Sequence, residues 1–102
     1  MRRVHYSATF VEQLNILLAQ GEPKFGIRIV DEKRERVFDT IDHHLARFPQ
    51  QVRDPELNLF SYAISKTPFI VIYDFDETEL RVFFVVHARS DRARIDPGDV
   101  VW

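Results

Sequence analysis

The chain has 102 residues, 45% of them hydrophobic and 29% charged, with a formal net charge of −2 and no cysteine. That length suits one domain with one core, and that composition suits a globular rather than a disordered chain. The absence of cysteine excludes disulfides, thiol nucleophiles and thiolate zinc sites. Arg2 and Arg3 open the chain, but no apolar run of signal-peptide length follows and none of membrane-spanning length occurs. A cytoplasmic protein without membrane contact is expected.

Arg3–Tyr6 alternates as a short first strand, with Val4 and Tyr6 on one face. Ser7 is placed to cap a helix reaching about Gln20, in which Phe10, Leu14, Leu17 and Leu18 form an apolar stripe. Gly21 stands at the C-cap position and Pro23 opposes continuation. A second helix is expected from near Phe25 to Arg47, burying Ile27, Val30, Val37, Ile41, Leu45 and Phe48, with Phe38 beside them. The mixed charges of Asp31–Arg36 suit its solvated face, and Pro49 ends it. Gln50–Asn58 contains Pro55 and reads as a loop.

Three strands follow, near Phe60–Ser65, Phe69–Asp74 and Leu80–His87, separated by Lys-Thr-Pro and Asp76-Glu77-Thr78. The fold class is therefore α+β, in the order β-α-α-β-β-β, with a helical hairpin on a small, largely antiparallel sheet and one domain over residues 1–102. Regular alternation in the last strand puts Val82, Phe84 and Val86 on the helix side and Arg81, Phe83, Val85 and His87 on the other.

Phosphate loops, nucleophile elbows and zinc helices are missing, and neither metal nor cofactor is expected. His43 and His44 are adjacent on a helix, too far around it to share a metal, and read as surface histidines. Asp74 and Asp76 read as turn residues rather than a catalytic dyad. The groups able to carry chemistry are Lys66, Arg81, His87, Arg89, Arg92 and Arg94, with Tyr62 and Tyr73 nearby. Proton-transfer groups and cations are what RNA cleavage by 2′-OH attack needs, but the same residues serve structural roles at strand ends.

Two segments carry a family likeness: Phe69-Ile70-Val71-Ile72-Tyr73-Asp74, and Glu79-Leu80-Arg81-Val82-Phe83-Phe84-Val85-Val86-His87-Ala88-Arg89-Ser90-Asp91. An aliphatic strand ending in Tyr, then a last aliphatic strand running into His and basic residues, resembles the RelE/ParE superfamily of type II toxin–antitoxin toxins. The likeness extends over nearly the whole chain. It implies a toxin neutralised by a cognate antitoxin and two candidate actions. A ParE-like member would poison DNA gyrase; the slightly negative charge, the single sheet-region lysine (Lys66), the Val100-Val101-Trp102 ending and the long second helix favour that branch. A RelE-like member would cleave mRNA on the ribosome, with Arg81 and Arg89 stabilising phosphate charge and His87 or Lys66 moving protons. A third reading is a non-toxic relative that binds its antitoxin and serves operon autoregulation. Arg81, Arg89, Arg92, Arg94 and Trp102 are the expected target- or antitoxin-binding residues, and specific DNA binding by this chain alone is not expected.

Overall fold

The computed structural model describes residues 1–89 and 95–102. Strand β1 (Arg3–Tyr6) leads into helix α1 (Ala8–Asp39), a π-helical turn (Thr40–Leu45), and strands β2 (Val52–Asp54), β3 (Leu59–Ala63), β4 (Phe69–Phe75) and β5 (Glu79–His87). A short 3-10 turn at Pro97–Asp99 follows. The five strands lie in the order β1-β5-β4-β3-β2. β1 runs parallel to β5, and every other pairing is antiparallel. The α+β architecture expected from the sequence is present.

Ser7 caps α1 as expected. Its buried hydroxyl accepts from the Phe10 N–H at 2.8 Å and donates to the Phe83 carbonyl at 2.7 Å, joining the helix start to β5. The first helical arm does not stop at Gly21. Pro23 lies inside the helix, where it removes only one backbone donor, and the break comes at Gly26. Gly26 has φ 79° and ψ 163°, a backbone region essentially confined to glycine. There the chain doubles back. Phe10 and Phe38 have ring centroids 6.1 Å apart, whereas unbroken helix between them would span about 42 Å. No atom lies within 4 Å of a Cβ built on Gly26, so Gly26→Ala tests the backbone alone. It is expected to cost about 1–3 kcal/mol in a chemical denaturation experiment.

Both arms bury their stripes in one core: Phe10, Leu14 and Leu18 from the first, Val30, Val37, Ile41 and Leu45 from the second. Ile27 and Phe48, expected in that stripe, are 64% and 61% exposed. Ile27 directly follows the break, and Phe48 lies beyond the helical turns. The second arm ends in the wider π-turn, which carries Asp42 to the Tyr6 hydroxyl (2.5 Å) and His44 against Tyr62 (5.4 Å between centroids). His43 is a surface residue, as expected, but His44 is half-buried.

The stretch expected to be a loop contains β2, paired with β3 through Val52–Ser61, Arg53–Phe60 and Asp54–Leu59. The Asp54 carboxylate accepts from the Glu56 and Leu57 N–H groups, and Asn58 closes the turn at φ 56°.

A register irregularity sets the two faces of the sheet. Ile72 pairs with Phe84 while Tyr73 pairs with Val82, so Phe83 is an extra residue on β5. Such a bulge reverses the alternation beyond it. Leu80, Val82 and Val85 join the helix-side core with Phe69, Val71 and Tyr73. Phe84 and Val86 instead join Leu59 and Ile72 in a second cluster on the opposite face. The regular alternation expected for β5 therefore fails after Val82: Val85 points to the helices, while Phe84 and Val86 point away. Ile95 and Val100 pack over the second cluster. Val101 and Thr9 clasp this C-terminal segment to α1, with Thr9 N–H donating to the Val101 carbonyl (3.2 Å) and Val101 N–H to the Thr9 hydroxyl (2.8 Å).

Candidate functional site

The candidate residues divide between the two ends of β5. Arg81 lies near its start, opposite Asp74 on β4. Its Nε donates to Asp74 Oδ1 at 2.7 Å, and its Nη1 reaches Asp76 Oδ2 at 3.0 Å and Glu79 Oε2 at 3.4 Å. Glu79 also meets His5 at 3.2 Å and Arg3 at 3.7 Å. This end of the sheet is a network of alternating charges, and the Arg81 guanidinium is engaged by carboxylates through its Nε and Nη1. Asp76 and Arg81 raise the stability of each other's charged form.

Asp76 also organises the β4–β5 turn. Its Oδ1 accepts from the Thr78 N–H at 2.9 Å and the Glu79 N–H at 2.8 Å. The Thr78 N–H first, then Arg81 and the Glu79 N–H, hold this carboxyl well below its ordinary 3.8. A depressed carboxyl pKa contributes stability above the unfolded value, and that contribution disappears as pH falls through the folded value. The stability difference between the native chain and Asp76→Asn should therefore be constant from neutral pH down to about pH 5 and shrink below about pH 4. Denaturation midpoints measured across that range check it.

Lys66, His87 and Arg89 lie at the other end. The Ile64 N–H donates to the Phe69 carbonyl and the Ala88 N–H to the Pro68 carbonyl, so the β3–β4 turn abuts the end of β5. Lys66 sits within that turn at φ 62° and is exposed. His87 pairs with Phe69 across the strands and, beyond the bulge, lies on the helix side. Its Nδ1 accepts from the Arg89 N–H at 3.2 Å, which leaves Nε2 as the donor of the neutral ring. Arg81 and His87 are thus roughly 20 Å apart along the strand and on opposite faces, so one phosphate cannot touch both. Arg92 and Arg94 lie outside the described residues.

Tyr62 and Tyr73 are on the helix side with His87. Tyr73 is fully buried and its hydroxyl donates to the Pro49 carbonyl at 2.8 Å; burial raises its pKa, as it does for Tyr6, where Asp42 adds to the effect. Neither phenol is poised to lose a proton near neutrality. Trp102 is 53% exposed and meets Phe83 edge-on at 4.9 Å.

Sequence reasoning missed one feature at the His87 end. A cleft of about 210 Å³ separates the tip of the helical hairpin from Pro68, Phe69 and His87. Lys24, Phe25 and Lys33 lie on its helical side. The mixed charge run had placed Lys33 on a solvated face; its ammonium instead stands 4.2 Å from the Phe25 ring centroid. A cation eight residues from an aromatic across a Gly-containing break was the available signal.

The arrangement of these elements has counterparts among solved structures. A chain of the chromosomal ParDE TA system from P. aeruginosa superposes with a TM-score of 0.73, covering 85% of this chain and 96% of that one at 10% identity. This is the RelE/ParE fold. A chain of the RelBE2 toxin–antitoxin complex from Mycobacterium tuberculosis matches with a TM-score of 0.56, over 84% of this chain and 96% of that one, at 20% identity. No family model matches the sequence, and no curated protein does. At such identities the RelE/ParE likeness resides in the backbone, and the side chains must be read on their own terms. Among the described residues, no helix is long and apolar enough to cross a membrane.

Proposed function

We propose that this chain is the toxin of a bacterial type II toxin–antitoxin module, arresting growth in the cytoplasm by acting on DNA gyrase and held in check by a cognate antitoxin. One observation supports a protein target over RNA cleavage. The sheet face away from the helices is apolar at its centre, through Leu59, Ile72, Phe84 and Val86, and Ile95 and Val100 cover it. Its Arg81 is engaged by three carboxylates. Phosphate binding and phosphorane stabilisation both call for free cations on the working face. The RelE/ParE-like fold supports the toxin class, and the ParE-like branch favoured by the sequence points to gyrase as the target.

The second reading, a ribosome-dependent mRNA endonuclease, draws support from the placement of Lys66, His87 and Arg89 at one end of the sheet. A short pulse of expression in a bacterial host separates the two. Thymidine incorporation should fall first while methionine incorporation continues, and the purified chain should then alter gyrase supercoiling. In a nuclease, removing Arg81 or Arg89 would each cost about 10²–10³ in rate. In a gyrase poison, Arg81→Ala with Arg89→Ala should leave the order of the two declines unchanged. An early fall in translation would reject the gyrase reading, and no fall in either would leave an antitoxin-binding relative that acts in autoregulation.

A further inference from the structure

The cleft at the hairpin tip has an unusual combination of walls and rim. Leu18, Val30 and Phe69 form apolar walls from the two arms of α1 and from β4, with Phe25, itself 52% exposed, at the mouth. Lys24, Lys33 and His87 stand around them, and no carboxylate lines the cleft among the described residues. Among those residues neither lysine forms an ion pair. Asp74, Asp76, Glu77 and Glu79 gather at the opposite end of β4 and β5. A chain of net charge −2 thus lines one apolar recess with two lysines and, among the described residues, no carboxylate.

Its volume of about 210 Å³ exceeds that of a cavity of about 150 Å³ known to accept benzene. We propose that this cleft is a docking site for an acidic segment of a partner protein, with one aromatic side chain of that segment inserted between the hairpin and β4. Phe25 and Phe69 meet the ring, Lys24 and Lys33 meet flanking carboxylates, and the His87 ring offers its Nε2 donor at the rim. Apolar walls reward the anchor, and the two lysines select its neighbours by charge. The site does not depend on which cellular process the chain arrests, so a silent relative would bind the same segment.

The test is titration of the full ¹⁵N-labelled chain with three synthetic peptides: Asp-Glu-Phe-Asp-Glu, its Phe-to-Ala counterpart, and Lys-Lys-Phe-Lys-Lys. The first should shift the amides of Gly21, Val30 and Phe69 and bind at least about tenfold more tightly than the anchorless peptide. The basic peptide should leave those amides unmoved. Charge reversal by Lys24→Glu with Lys33→Glu should weaken the acidic peptide by about tenfold or more. Gly21→Leu should block the anchor by filling the recess. A Cβ there meets Phe25 Cδ2 at 3.7 Å, an ordinary contact, so the variant should fold, and its thermal melt confirms that. Equal binding of the acidic and anchorless peptides, binding of the basic peptide, shifts confined to other surfaces, or undiminished binding by folded Gly21→Leu would each overturn the proposal. None of these outcomes bears on the pulse-labelling result.

Discussion

Phe10→Ala is expected to destabilise the chain by about 3–5 kcal/mol, the range for emptying a buried aromatic site. A drop in Tm of roughly 20 °C should accompany it for a domain of this size. Phe10 is fully buried and joins three parts of the fold. Its ring stacks on Tyr6 of β1 at 5.3 Å and meets Phe38 of the second helical arm edge-on at 6.1 Å. Tyr6 and Phe38 also meet each other, at 5.1 Å. Removal of the central ring leaves the other two without a common partner, and the hairpin, broken at Gly26, cannot slide as a rigid unit to close the gap. Thermal unfolding followed by circular dichroism measures the loss. A fall of under about 1 kcal/mol, the scale of a surface substitution, would mean that the hairpin does not close on the sheet through this residue.

Helix periodicity made Phe10 legible, because a stripe at i, i+4, i+7 and i+8 reports one buried face without reference to the rest of the chain. The same logic found Val30, Val37, Ile41 and Leu45. It failed at Ile27 and Phe48, where helical spacing continues on paper but the backbone does not. Punctuation was harder to place than pattern. Gly21 and Pro23 both resemble a stop, yet Gly26 makes the turn because only there does the backbone adopt a conformation that requires glycine. Strand β2 was hidden for a different reason. Three residues cannot display a period, and their strand character comes from pairing with β3 across a turn built by Asp54 and Asn58.

The division of the candidate site follows from one residue. Without the bulge, β5 would set Arg81 and His87 on a single face, and the basic and proton-transferring groups would form a row. Phe83 breaks that row. Bulges carry no reliable local signature in a run of β-formers such as Val-Phe-Phe-Val-Val, since every residue there suits a strand in either phase. The ion-pairing of Arg81 was closer to the surface of the sequence: Asp74, Asp76 and Glu79 crowd the turn just before it. The carboxylates that made a catalytic dyad unattractive also deprive the arginine of a free phosphate-binding role.

The face reversal itself can be measured by coupling. Phe84 is 3% exposed and shares its cluster with Ile72, Val86 and the covering residue Ile95. Phe84→Ala alone should cost about 3–5 kcal/mol. Combined with Ile95→Ala, it should show a coupling of about 0.5–3 kcal/mol, because the two side chains share one packed cluster. Combined with Leu14→Ala, which empties the helix-side core, the two losses should add to within about 0.5 kcal/mol. Regular alternation through β5 requires the reverse, with Phe84 coupled to Leu14 and independent of Ile95. The Ile95 cycle also tests the cover over the sheet. If Phe84 is independent of Ile95, the apolar face is open to solvent, and the observation favouring a protein target over RNA loses half of its basis; the engagement of Arg81 by Asp74, Asp76 and Glu79 would then have to bear the distinction alone.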